Sequence, residues 1–190
     1  MADMKVADLL KNGVVLFDVE GKDTSAIYEK VSNEISLPDG VTKEGVYAAL
    51  CDRERVMSTA VGYGIALPHC RGTILKDNND QQISVCYLKD PIDMNAPDAR
   101  HVFVMFVLLT SNSQTHLQVL SQLASLFKNS EFRQLLEKRA GMDELIKAAH
   151  ELVWGFFMDK KAIEAVALSI RSLSMDAIQK ANSGHPGLPL

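Results

Sequence analysis

Three side chains of types that handle anions stand out along the chain: Arg53, His69 and His116. His69 lies in the stretch GYGIALPHCR, behind Pro68 and ahead of Cys70 and Arg71. Proline lacks an N–H, fixes its own φ and biases the residue before it to extended backbone. The apolar run IAL is therefore expected to stop as a strand at Leu67, with His69 projecting from its tip. Gly62 and Gly64 permit close backbone approach beside it, and Arg71 adds a fixed positive charge two residues on. A histidine held this way suits an anionic partner, and a neutral imidazole nitrogen can serve as the nucleophile of phosphoryl transfer. A loop histidine following a turn accounts for the same residues, and the local sequence leaves both readings open.

His116 follows Ser111 to Gln114, which matches an S-x-x-Q capping box. That places it in the first turn of a helix, where free amides and the helix dipole favour an anion and disfavour a protonated imidazole. The other reading is a core-edge histidine continuing the Leu120 and Leu123 stripe. Arg53, in CDRERVMST at a helix end, is either a partner of the helix dipole or a clamp whose planar guanidinium matches phosphoryl oxygens. His69, Cys70, His101 and His116 all carry metal-ligating atoms, but no two stand at helical i, i+4 spacing. Adjacent His69 and Cys70 would point apart, so neither a metal site nor a cofactor is expected. His101 reads as flanking a strand and His150 as lying on a terminal helix face.

These residues need elements to position them. Met4 to Asn12 reads as a short helix stopped by Gly13, followed by a VVLF strand. Thr24 to Ile35 sets Ile27, Val31 and Ile35 four apart, one apolar helical face. Thr42 caps the next helix, with Glu44 in its first turn. ISVCYL and VFVMFVLL are β-branched and aromatic runs. The second does not alternate and is expected to be buried on both faces. Between them, KDPIDMNAPDAR reads as an ordered loop. His116, Leu120, Leu123 and Phe127 share one face of a helix, and shorter helices follow over Glu131 to Lys138 and Met142 to Leu152. Helices and strands interleave, which predicts an α/β sandwich.

The bulk properties narrow the class. The 190 residues are enough for one domain with a substantial core plus an appendage, and the 47% apolar and 23% charged content is that of a globular chain. The net charge of −4 comes from mixed signs, with no basic block to bind nucleic acid. The longest apolar run, Val102 to Leu109, is too short to span a bilayer, and the N-terminus lacks a signal-peptide core. No membrane insertion is expected. Three cysteines without CxxC spacing argue against a disulfide framework and for a cytoplasmic protein with reduced thiols.

The block RERVMSTAVGYGIALPHCR, the loop PIDMNAPDARH and the helix HLQVLSQLASLF together resemble the mannitol- and fructose-type enzyme IIA domains of the bacterial phosphoenolpyruvate-dependent phosphotransferase system. The resemblance runs over about residues 5–152. It implies a mixed β-sheet sandwiched by helices, the type-2 enzyme IIA fold. It implies that His69 accepts a phosphoryl group from an HPr-type phosphocarrier protein, with Arg53 steadying the group and His116 supporting it by a hydrogen bond. Onward partners would be a IIB domain of a sugar permease or, in the nitrogen-type branch, a regulatory target protein. The His69 block and a chain without a fused permease segment lean toward the nitrogen type. Ala60, Tyr63 and the LLTSN turn depart from the family pattern, and Tyr63 is the departure expected to bear on which partner docks over His69.

The C-terminal segment Met158 to Leu190, which includes AIQKANSGHPG, resembles the N-terminus of transketolase. The implied organisation is an enzyme IIA type-2 domain over residues 1–153, a linker over 154–157 and a truncated transketolase-like segment over 158–190. Without the diphosphate- and metal-binding parts of that enzyme, His185 is expected to have no transketolase activity.

Overall fold

Capped helices and unbroken apolar strands alternate along the chain. The computed structural model describes residues 5–70 and 74–152. Helix α1 (Lys5–Asn12) leads to strand β1 (Val15–Val19), helix α2 (Thr24–Glu34) and helix α3 (Lys43–Val56). A short hairpin, β2 (Ala60–Gly62) and β3 (Ile65–Ala66), precedes the long strands β4 (Gln82–Ile92) and β5 (Val102–Leu109). Helices α4 (Ser113–Lys128) and α5 (Ser130–Glu137) follow, and residues 142–152 are helical, α6.

The helix starts are written in side chains that accept from free N–H groups. Asp23 accepts from Ala26 N at 2.9 Å, and Thr42 accepts from Gly45 N at 3.1 Å. The expected cap of α4, Ser111, is corrected by the structure. Asn112 is the N-cap, accepting from Thr115 N at 2.8 Å. Ser111 is drawn the other way, its hydroxyl donating to Asn78 Oδ1 at 2.5 Å and its N–H to Gln81 Oε1 at 3.1 Å.

The five strands form one mixed sheet in the order β1-β4-β5-β3-β2. β1 runs parallel to β4 and β3 parallel to β5, while β4/β5 and β2/β3 are antiparallel. Side-chain alternation splits the core into two layers. Ile65, Leu67, Ile83, Val85, Val104, Phe106 and Leu108 face α1, α4, α5 and α6. Ala66, Cys86, Leu88, Met105, Val107 and Leu109 face α2 and α3. β5 is buried on both sides, as its unbroken apolar run predicts. Each fully buried large side chain contributes about 1.5–3 kcal/mol, and this double layer gives the site a rigid floor.

The segment Lys89 to Ile92, expected as loop, extends β4 instead. Ile92 pairs with Val102 after a register shift beyond Tyr87, so Pro91 sits where the ladder is already interrupted and its missing N–H costs nothing. The short strand β2 has no separate signature in the sequence; it forms because Tyr63 and Gly64 take φ of 57° and 73°, the paired positive values of a tight two-residue hairpin. A Cβ on Gly64 would lie 2.6 Å from the Phe103 ring, so that position also requires the missing side chain. Arg71, the linker, the transketolase-like segment and His185 lie outside the described residues.

Candidate functional site

The path of β3 places His69. Ile65 and Leu67 point to the α4 face, and the alternation carries through Pro68 so that the next residue of the same parity is His69. The strand does not release it as a free tip. Pro68 O accepts from Leu108 N at 2.9 Å, and His69 bridges Leu108 in parallel fashion, so the residue stays alongside β5 and half-buried. That corrects the expectation that pairing ends at Leu67. Proline loses its own donor but keeps its carbonyl, and one acceptor is enough to continue the register.

The hydrogen bonds define the ring's chemistry. His69 Nδ1 lies 2.8 Å from Leu67 O. A carbonyl only accepts, so Nδ1 carries the proton and the lone pair of the neutral ring is on Nε2. Arg53 completes the assignment, its Nε donating to His69 Nε2 at 3.0 Å. The pKa of His69 is lowered, chiefly by burial and further by the Arg53 charge, against an opposing pull from the Leu67 carbonyl and Glu54. The imidazole is thereby held neutral, with a nucleophilic lone pair directed at a guanidinium.

Arg53 reaches this position from the last turn of α3. Its NH1 also donates to Met57 O at 2.7 Å, a carbonyl left free at the helix end. The Met57 contact is the helix-end role the sequence allowed for Arg53, and the His69 contact turns the same guanidinium toward the imidazole. Next to it, Glu54 accepts from Thr59 N at 3.0 Å, Thr59 Oγ1 at 2.7 Å and Tyr28 OH at 2.8 Å. One carboxylate ties α3 to α2 and to the start of β2. Burial first, and then the Glu54 charge, raises the Tyr28 pKa and keeps its phenol a donor.

His116 enters from the first turn of α4. Its ring centroid is 5.0 Å from that of His69, with the planes tilted by 55°. Thr110 Oγ1 is 3.1 Å from Nδ1, which leaves Nε2 for another partner. Burial, then the His69 and Arg53 charges, lower its pKa, so neutrality comes from desolvation and neighbouring positive charge. Val56, Met57 and Leu117 stand exposed around these three residues, at the end of α3 and beside His116.

The structure brings together Arg53, His69 and His116, and it separates others. Tyr63 does not lie over His69. It sits at the opposite end of the hairpin, where Gly64 O accepts from Phe103 N, while His69 is level with Leu108. Along β5 the five-residue step from Phe103 to Leu108 puts about 16 Å between the two levels. His101 is exposed at the start of β5, at the Tyr63 end, and Cys70 is buried with its thiol pKa pushed up to about 12. Among the described residues no three His, Cys, Asp or Glu side chains group as metal ligands. Glu54, Thr59 and Thr110 carry no signal of their own in the sequence beyond the arginine–glutamate pair ahead of Ser58 and Thr59.

Comparison with known proteins bears on this geometry. The family model described as phosphoenolpyruvate-dependent sugar phosphotransferase system, EIIA 2, matches residues 8–151. The nitrogen regulatory protein of Pseudomonas aeruginosa is 31% identical over 137 residues, spanning 70% of this chain and 86% of that one. The crystal structure of nitrogen regulatory protein IIA-Ntr from Neisseria meningitidis aligns with a TM-score of 0.62 at 25% identity, over 76% of this chain and 98% of that one. Separately, 33 residues of this chain are 70% identical to a transketolase of Treponema pallidum, a stretch covering 17% of this chain and 5% of that enzyme.

Proposed function

The chain belongs to the EIIA 2 family of the phosphoenolpyruvate-dependent sugar phosphotransferase system, and from that premise we propose that it carries a phosphoryl group on His69 Nε2, taken from an HPr-type phosphocarrier protein. The observation that supports this reading most is the pair of contacts on one ring. Leu67 O holds the proton at Nδ1, and Arg53 faces the lone pair at Nε2.

In the transfer, the Nε2 lone pair forms the new bond to phosphorus as the P–N bond to the carrier's histidine breaks, its electron pair returning to that imidazole. Arg53 gives up its bond to Nε2 and donates instead to the phosphoryl oxygens, an exchange suited to a planar multi-donor fork. His116 donates from Nε2, its other nitrogen held by Thr110. Positioning and fixed donors supply the rate enhancement, as expected where the transferred group carries most of its charge on oxygen. Exposed Val56, Met57 and Leu117 provide apolar area for the carrier to cover.

The likeness to nitrogen regulatory proteins supports a regulatory role, in which the phosphorylation state of His69 governs binding to a target protein. In this reading the carrier unit occupies residues 1–153 and works in the cytoplasm, with residues 154–157 leading to the transketolase-like segment 158–190. We assign that segment no catalysis.

The test is incubation with phosphoenolpyruvate, enzyme I and HPr, followed by intact-mass measurement. The full chain is expected to gain one phosphoryl group and His69→Gln none. Uptake by His69→Gln would overturn the assignment. Rapid onward transfer to a IIB domain would replace the regulatory role with sugar transport.

A further inference from the structure

Arg53 and Glu54 are neighbours in the sequence, and both lead to the same imidazole from opposite sides. Arg53 reaches Nε2 directly. Glu54 reaches Nδ1 through two backbone steps. Its carboxylate accepts from both the N–H and the hydroxyl of Thr59. Thr59 O accepts from Leu67 N at 2.9 Å, and Leu67 O is the atom 2.8 Å from His69 Nδ1. Thr59 is 4% exposed and Leu67 is buried, so the middle of this chain of bonds is shielded from water. The third bond, from Tyr28 OH, fixes the carboxylate against α2 and leaves it no freedom to follow a moving strand.

Resting on the phosphoryl-carrier reading of His69, we propose that Glu54 is a positioning residue for that histidine. Through Thr59 and Leu67 it holds the imidazole as the Nδ1–H tautomer and keeps Nε2 the reactive nitrogen. The linkage runs beside the β2–β3 ladder: Thr59, the residue leading into β2, is pinned by Glu54 and bonds Leu67 N, and Leu67 O faces Nδ1. A ring released from Leu67 can place its proton on either nitrogen. A proton on Nε2 removes the nucleophile and also confronts the Arg53 donor with a second donor.

Nitrogen NMR of the His69 ring in the unphosphorylated protein at neutral pH tests this with no phosphoryl donor present. The full chain is expected to show a protonated Nδ1 and a bare Nε2. Glu54→Ala is expected to show mixed tautomers and to take up phosphate from HPr about 100-fold more slowly, the cost of a displaced reacting group. Glu54→Gln keeps an acceptor for Thr59 N and is expected to restore the single tautomer. Should Glu54→Ala fail to fold, Glu54→Asp decides, since its shorter carboxylate cannot span Thr59 and Tyr28 together and mixing is again expected. A bare Nδ1 in the full chain overturns the proposal. So does a single Nδ1–H tautomer with unchanged uptake in a folded Glu54→Ala or Glu54→Asp variant. A role confined to anchoring α3 would lower the melting temperature and leave the ring signals in place. Mixed tautomers in Glu54→Ala would stand even if His69→Gln still took up phosphate, an outcome that overturns only the carrier reading.

Discussion

At one end of the β2–β3 hairpin an arginine meets a histidine; at the other an arginine meets a tyrosine. Arg133 lies over the Tyr63 ring, 4.5 Å from its centroid, and its NH1 donates to Phe127 O and Lys128 O at 2.8 and 2.7 Å. Tyr63 N in turn donates to Asp98 Oδ2 at 2.7 Å, which holds the turn in its positive-φ conformation. These contacts close the C-terminal end of α4 and bring the hairpin tip to it. At the other end, Arg53 also uses one nitrogen on a helix-terminal carbonyl, but its second contact is to the lone pair of an imidazole. An aromatic face offers a cation only a diffuse quadrupole. A ring nitrogen offers a pair of electrons that can form a bond once the guanidinium moves aside. The atom opposite the guanidinium is therefore what sets the two ends apart, although both ends use an arginine at a helix terminus.

The largest effect that would sharpen this contrast is at Arg53. Arg53→Lys keeps the charge and loses the fork, and phosphoryl uptake is expected to fall by about 100-fold in single-turnover measurements, the loss typical of removing one preorganised donor. An unchanged rate would place Arg53 with Arg133 as a structural cap.

The pH dependence comes next. Both imidazoles have folded pKa values below the ordinary histidine value of about 6.5. The unfolded chain therefore binds more protons, and their contribution to stability is complete above pH of about 6.5 and is lost as pH falls through that value toward the folded pKa values. Denaturant titrations are expected to show this decline, and His69→Gln combined with His116→Gln to flatten it. The acid limb of uptake is expected to have its midpoint below pH 6.5. An acid limb above 6.5 would break the account of a buried neutral pair.

The smallest effect belongs to the far end. Tyr63→Ala is expected to cost about 0.5–1 kcal/mol of stability through the lost cation–π contact, with phosphoryl uptake by His69 unchanged. A drop in uptake would show that the two ends communicate.

Much of this arrangement can be read along the chain, because it rests on local rules. Thr42 announces its helix, the unbroken VFVMFVLL run announces a strand buried on both faces, and the parity of IALPH sets His69 on the face of Ile65 and Leu67. Where the reading failed, a distant contact outweighed a local signal. Ser111 gave way to Asn112 as the cap because Asn78, some thirty residues earlier, engages the Ser111 hydroxyl. Lys89 to Ile92 joined β4 because Val102 was there to pair with it. Tyr63 is close to His69 in sequence, yet an extended strand carries the two to opposite ends of the hairpin.

The sequence by itself determined the residue types and the parity of the site. Alternation places Ile65, Leu67 and His69 on one face, and the start of α4 puts His116 within its first turn. Only the tertiary structure decided what each group meets. The order of strands in the sheet sets α3 and α4 on opposite faces, and the end of α3 brings Arg53 to Nε2. The register of β2 on β3 turns Leu67 O to Nδ1. Hydrogen-bond partners so far apart in the chain leave no periodicity to read, and it is those partners that leave one nitrogen of His69 protonated and the other with its lone pair facing Arg53.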